Sequence, residues 1–205
     1  MPLQNRVTPL GEIVAVPERG GFMGNRGILH DEHQQLGKRR WALKAWLICR
    51  LDFRGRHRTV MTPRRYTELF FFDEATAIAA GHRPCYECRR GAFLDWQVAW
   101  QRAQMLDTPP RAGVIDTQLH AERIAPGSRR QQRWKTRFGA LPDGAFISRE
   151  QGPCLVLDGR LHDWSWQGYG PPSACPEDEM VTVLTPPSSV AVLQSGYRPA
   201  INIHD

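Results

Sequence analysis

Short apolar runs punctuated by glycine, proline and aspartate dominate the chain, and helical periodicity is confined to a few segments. Glu12–Val16 is predicted as a short strand stopped by Pro17. Ala45–Leu51 is apolar enough for a buried strand, with a hairpin turn at Arg54 and Gly55 and a returning strand over His57–Met61. Tyr66–Phe72 forms the next strand. Asp73 then offers its carboxylate to the free N–H groups of a helix over Glu74–Ala80, which Gly81 terminates. Arg89–Leu106 carries Phe93, Trp96, Trp100 and Met105 at helical spacing. Val114–Ile124 fits either a strand with one polar face or a helix. From Leu141 onward the pattern is β, with turns at Pro142-Asp143-Gly144 and Asp158-Gly159, strands at Ala145–Ser148, Cys154–Asp158 and Val181–Leu184, and a last helix over Pro186–Ser195.

These elements predict an α+β fold. An N-terminal part over residues 1–110 packs against a small β-rich part over residues 111–205, and the Pro-rich stretch Asp107–Gly113 marks the boundary. A chain of 205 residues can bury a full core without staples. No run of about 18 apolar residues is present and the N-terminus lacks a secretory pattern, so neither a membrane span nor export is expected, and a cytoplasmic setting is. Five cysteines, an odd number, fit free or metal-bound thiols better than a disulfide framework.

The net charge of +6 comes almost wholly from arginine, since Lys38, Lys44 and Lys135 are the only lysines. Guanidinium groups fork onto phosphates and stack on aromatic faces, so the composition points to DNA, or RNA, as a partner. Ser128–Arg137 is the densest such segment: Arg129, Arg130, Arg133 and Lys135 suit phosphates, and Trp134 suits stacking on a base. Arg19 and Arg26 flank a Gly-rich stretch whose backbone could hold a phosphate or cover a flipped base. Trp164, Trp166 and Tyr169 either cap a small barrel or stack on bases.

The most concentrated signals lie in Leu69–Arg90. There Pro84 stiffens the approach to Cys85-Tyr86-Glu87-Cys88, whose C-x-x-C spacing lets two sulfurs converge on one zinc ion. Cys49, in a core strand, and His57, near the hairpin turn, are candidates to complete the site. A redox dithiol is the rival reading of the pair, but the strand–helix context of a thioredoxin-like motif is missing. Phe71–Arg90, with its aromatic strand end, Ala-rich helix, glycine and R-P-C-x-x-C-R, resembles the second half of the zinc-binding domain of Ada-type DNA alkylation-repair proteins. The resemblance implies that Cys85 and Cys88 are the later pair of four zinc ligands. In that family one cysteine of the earlier pair accepts a methyl group from a DNA phosphotriester. The corresponding stretch here, Arg54–Val60, contains no cysteine, so methyl-acceptor chemistry is not implied. Arg83, Arg89 and Arg90 flank the knuckle and are expected to face phosphate.

Two clusters suit acid–base work. His30, Asp31 and His33 follow the Gly-rich stretch, with the alternative that Asp31 caps a helix over Glu32–Gly37. His120 and Glu122 lie in Val114–Ile124, where a nearby carboxylate could orient the imidazole. The expectation is therefore a zinc-containing nucleic-acid-binding protein acting on damaged or modified DNA, by hydrolase or lyase chemistry of the glycosylase kind. A non-catalytic DNA or RNA reader with a structural zinc and a small-molecule metallohydrolase are the alternatives.

Overall fold

Asp73 starts the central helix as its sequence predicts: its Oδ1 accepts from the Thr76 N–H at 2.8 Å. Helix α1 (Glu74–Ala79) follows, and Gly81, at φ 83°, turns the chain out of it. Every residue of α1 is buried, because the helix lies between two six-stranded sheets. Ala77 and Ile78 join the core of the first sheet, while Ala75 and Ala79 pack with Phe146, Leu155 and Leu184 of the second part. The computed structural model describes residues 1–55, 59–125, 127–128 and 130–203.

The first sheet contains β1 (Arg6–Val7), β2 (Ile13–Val14), β3 (Phe22–Asn25), β4 (Leu47–Cys49), β5 (Leu69–Phe71) and β6 (Arg83–Pro84), in the order β2-β1-β5-β3-β4-β6. The Gly-rich segment expected to be a phosphate loop is thus an inner strand. A side chain at Gly24 would collide with the Leu47 carbonyl and the Phe71 ring, so its glycine serves close strand packing. Alternation along the strands gives the sheet two faces with different uses. Ile48, Leu69 and Phe71 turn inward and share one core with Trp96 and Trp100 of α2 (Arg90–Ala103), Ile115 and Leu119 of α3 (Ala112–Arg123), and Val192 and Leu193 of α4 (Pro187–Gln194). Met23, Asn25, Leu47, Cys49, Glu68 and Phe70 line a cavity on the opposite face.

Val114–Arg123 is helical, one of the two geometries open to that segment. Other expectations change. The stretch after α2 leads straight into α3, and α3, α4 and Tyr197 all join the core of the first sheet, so the core does not divide at residue 110. Met105 is exposed rather than part of the helix stripe. Arg54 and Gly55 do form a turn with positive φ (55° and 62°), but Thr59–Met61 carries no returning strand.

The second sheet is antiparallel throughout, with β7 (Trp134–Arg137), β8 (Phe146–Arg149), β9 (Gly152–Leu157), β10 (Arg160–Ser165), β11 (Gly168–Ser173) and β12 (Met180–Val183) in the order β11-β10-β9-β8-β12-β7. Asp158 and Gly159, at φ 51° and 65°, make the tight turn that pairs Leu157 with Arg160. The Trp164 and Tyr169 rings close on Phe72 at 6.4 and 5.6 Å. Tyr169 also donates to the N-cap carboxylate of Asp73 at 2.6 Å. That aromatic cluster joins the two sheets. Among the described residues no helix is long and apolar enough to cross a membrane.

Candidate metal centre

The parallel pairing of β4 with β6 sets Leu47 against Arg83 and Ile48 against Pro84. One residue further along each strand stand Cys49 and Cys85, and the Cys85 N–H donates to the Ile48 carbonyl at 2.9 Å. The chain then turns so that Cys88 comes back over Cys85, the Arg89 N–H closing the turn onto the Cys85 carbonyl at 3.1 Å. The three sulfurs lie within 4.8 Å of one another, a group that could hold a metal ion. Sulfurs at tetrahedral corners, each about 2.3 Å from zinc, stand about 3.8 Å apart, so the spacing suits such an ion.

The knuckle is pinned from behind. Arg83 makes a two-pronged ion pair with Asp116 of α3, at 2.8 Å for each prong, and both side chains are buried. Around the sulfurs the electrostatics favour a single anion. The Cys85 thiol is held well below its ordinary range by hydrogen bonds from Cys49, then Cys88, and from the backbone N–H groups of Cys88 and Glu87. Cys49 is pushed up because its proton serves Cys85 and then Cys88. One thiolate thus forms readily and the others resist ionising beside it, which is the condition a bound cation relieves.

The cluster forms part of the wall of a cavity of about 340 Å³ on the outer face of the first sheet. Tyr66, Glu68 and Phe70 alternate along one edge of it, while Thr67, Leu69 and Phe71 are fully buried on the other face. Segment 50–65, which leads away from Cys49 and lends Phe53 and Val60 to the cavity, holds six arginines and a single acid, Asp52. Arg50, Arg54, Arg64 and Arg65 are exposed. The basic density of this segment and the period-two pattern of Tyr66–Phe70 are the two signals in the sequence that point to this cavity. His57 lies outside the described residues. Among the described residues, only Cys49, Cys85 and Cys88 form such a group.

No family model, curated protein or solved structure matches this chain. Its site therefore rests on its own geometry.

The residues expected to carry acid–base chemistry do not line this cavity. His30 is buried, its Nδ1 2.7 Å from the Thr67 hydroxyl and its Nε2 3.2 Å from the Thr62 carbonyl. Asp31 accepts from the N–H groups of His33 and Gln35, both at 2.9 Å, and organises a turn in place of the expected helix. Those N–H groups, Gln35 first, hold its carboxyl below the usual range. His120 packs edge-on to Trp41 at 5.8 Å, and burial followed by the charge of Arg123 lowers its pKa. Glu122 accepts from the Ser188 N–H at 2.9 Å and the Ser188 hydroxyl at 2.5 Å, so it caps α4 from a neighbouring helix.

The arginines divide into two groups. Arg26, Arg83 and Arg89 were expected on phosphates but are committed inside the protein. Arg26 donates to Gly11 O at 3.1 Å and to His82 Nε2 at 3.3 Å, and lies 4.0 Å over the Trp46 ring. Arg89 forks onto the buried Glu74 at 2.7 and 2.9 Å. Arg19, Arg90, Arg130, Arg133 and Lys135 are exposed, with Arg90 lying over the Tyr86 ring. Trp134 is half-buried and gives its indole N–H to the Thr185 carbonyl at 2.9 Å, packing in the core of the second sheet. Arg129 lies outside the described residues.

Proposed function

We propose that the chain is a zinc-containing nucleic-acid-binding protein that takes one nucleotide of damaged or modified DNA into the cavity beside Cys49, Cys85 and Cys88 and acts on it hydrolytically. The observation that carries this reading is the convergence of three sulfurs on the wall of a cavity bordered by an arginine-rich segment. Thiolate ligands select a soft or borderline metal such as zinc, and a centre with three protein ligands keeps a position open for water or substrate. Cys49, Cys85 and Cys88 would hold the zinc, which would supply Lewis-acid chemistry to the cavity.

The chain's own residues supply the rest. A cavity of about 340 Å³ is at the lower end for small-ligand sites and suits a single planar base. Phe53, Tyr66 and Phe70 provide aromatic surface for it. Arg50 on the cavity wall and the exposed Arg64 and Arg65 of the adjoining segment would neutralise the phosphates of a strand whose base has turned inward. The buried Arg83–Asp116 pair keeps the knuckle rigid while a ligand enters.

The test is a panel of oligonucleotides, undamaged, alkylated, deaminated and abasic, with RNA controls, given to the zinc-loaded and metal-stripped protein. The reading predicts binding that weakens steeply with salt, and turnover of one lesion that is lost with the metal. Binding without turnover on any lesion would make the protein a reader. Absence of salt-dependent binding to every member of the panel would overturn the nucleic-acid assignment.

A further inference from the structure

Glu68 is an unexpected residue to find lining the same cavity as three cysteines. It is 3% exposed, and its Oε2 accepts a hydrogen bond from the Met61 N–H at 2.8 Å. Among the described residues its buried Oε1 has no hydrogen-bond partner. A carboxylate with one oxygen unsatisfied is costly to bury, and such groups persist where a ligand completes them. Met61, which pins the other oxygen, is fully buried at φ 55°, a left-handed conformation that a non-glycine residue adopts only when its surroundings impose it. The strained Met61, through its N–H, thus fixes one oxygen of a carboxylate that lines the cavity.

Charge then defines the missing partner. Cysteine sulfurs and Glu68 make the cavity wall electron-rich, the aromatic rings present flat apolar surface, and arginines follow in the adjoining segment. A ligand that fits this gradient is planar, offers N–H donors at its inner end and carries phosphate at its outer end. We propose that Glu68 is the specificity residue of the cavity, its free oxygen accepting a hydrogen bond from the exocyclic amino group of a nucleobase. The site thereby prefers adenine, cytosine or guanine, which carry that donor, to a base without it. This inference rests on the nucleic-acid reading given above.

The experiment uses the full, zinc-loaded chain and fluorescein-labelled single-stranded oligonucleotides that differ at one central position: adenine, cytosine, unsubstituted purine, or an abasic sugar. Binding is followed by anisotropy across a salt series. The wild-type protein binds the adenine and cytosine strands at least about tenfold more tightly than the purine and abasic strands, the effect of one charge-assisted hydrogen bond. Glu68→Gln, which keeps an acceptor for the Met61 N–H, reduces that preference to within about twofold and leaves the salt slope unchanged. Because adenine and unsubstituted purine differ only in the amino group, the wild-type comparison decides the matter even if the variant does not fold. Equal affinity for those two strands, or a full preference retained by folded Glu68→Gln, overturns the role of Glu68 while salt-dependent binding upholds the broader reading. No binding of any strand overturns both.

Discussion

Cys49 and Cys85 come from distant parts of the chain, yet the Cys85 N–H on the Ile48 carbonyl, at 2.9 Å, seats them side by side at the end of two parallel strands. The knuckle Cys85–Cys88 alone is half a metal site. Strand pairing supplies the third sulfur and brings Cys49 into the group that could hold a metal ion. The same pairing explains why Arg83 is buried: its strand must be anchored, and Asp116 anchors it.

Arg83→Ala is expected to destabilise the protein by about 3–5 kcal/mol, because it leaves the Asp116 carboxylate buried without its partner. Arg64→Ala, Arg65→Ala and Arg133→Ala, all at exposed positions, leave stability nearly unchanged. Each lowers the slope of log affinity against log salt by roughly 0.7–0.9 where its side chain meets a phosphate. Denaturant midpoints and salt titrations on the same four variants separate the two classes.

Glu122 was a candidate general base and proves to be a cap. Glu122→Ala should cost about 1–2 kcal/mol by freeing the Ser188 N–H at the start of α4. Metal content and any turnover per folded molecule should stay at wild-type values. A variant that folds normally but loses turnover would restore the catalytic reading.

His82 is fully buried between Trp46 and Phe71, and burial, then the charges of Arg26 and Arg123, lower its pKa well below the ordinary 6.5. It is neutral in the folded protein and protonates in the unfolded chain as the pH falls below about 6.5. Its contribution is therefore complete above that pH and is lost as the pH falls toward the lowered value, with a slope approaching about 1.4 kcal/mol per pH unit. Thermal unfolding between pH 8 and 5 should show a decline in the wild type that is shallower in His82→Gln.

Local chemistry made much of the fold legible. Asp73 as a cap, Gly81 as a stop, the Asp158-Gly159 turn, α2 and the strands β8, β9 and β12 of the second sheet follow from residue type and spacing. What stayed hidden depends on contacts made across the chain. Glycines 20, 21, 24 and 27 look like a phosphate loop until Gly24 is seen packed against Leu47 and Phe71 in the sheet. Arg26 and Arg89 look like surface charge until Trp46 and Glu74 appear beside them. β10 and β11 were missed because Trp164, Trp166, Gly168 and Gly170 read as an aromatic, Gly-rich loop. Glu68 reads in the sequence as part of a buried strand, although period two puts it on one face with Tyr66 and Phe70.

The central claim is tested most directly by titrating the metal-free chain with cobalt(II) and recording the thiolate-to-cobalt charge-transfer absorption, with zinc then competing it away. The wild type should bind one equivalent, and Cys49→Ser should weaken the band and the affinity as much as Cys85→Ser or Cys88→Ser does. Cys154→Ser and Cys175→Ser should leave both unchanged. A Cys49→Ser protein with the wild-type spectrum and affinity, or a wild type that takes up no stoichiometric metal, would contradict the three-sulfur centre.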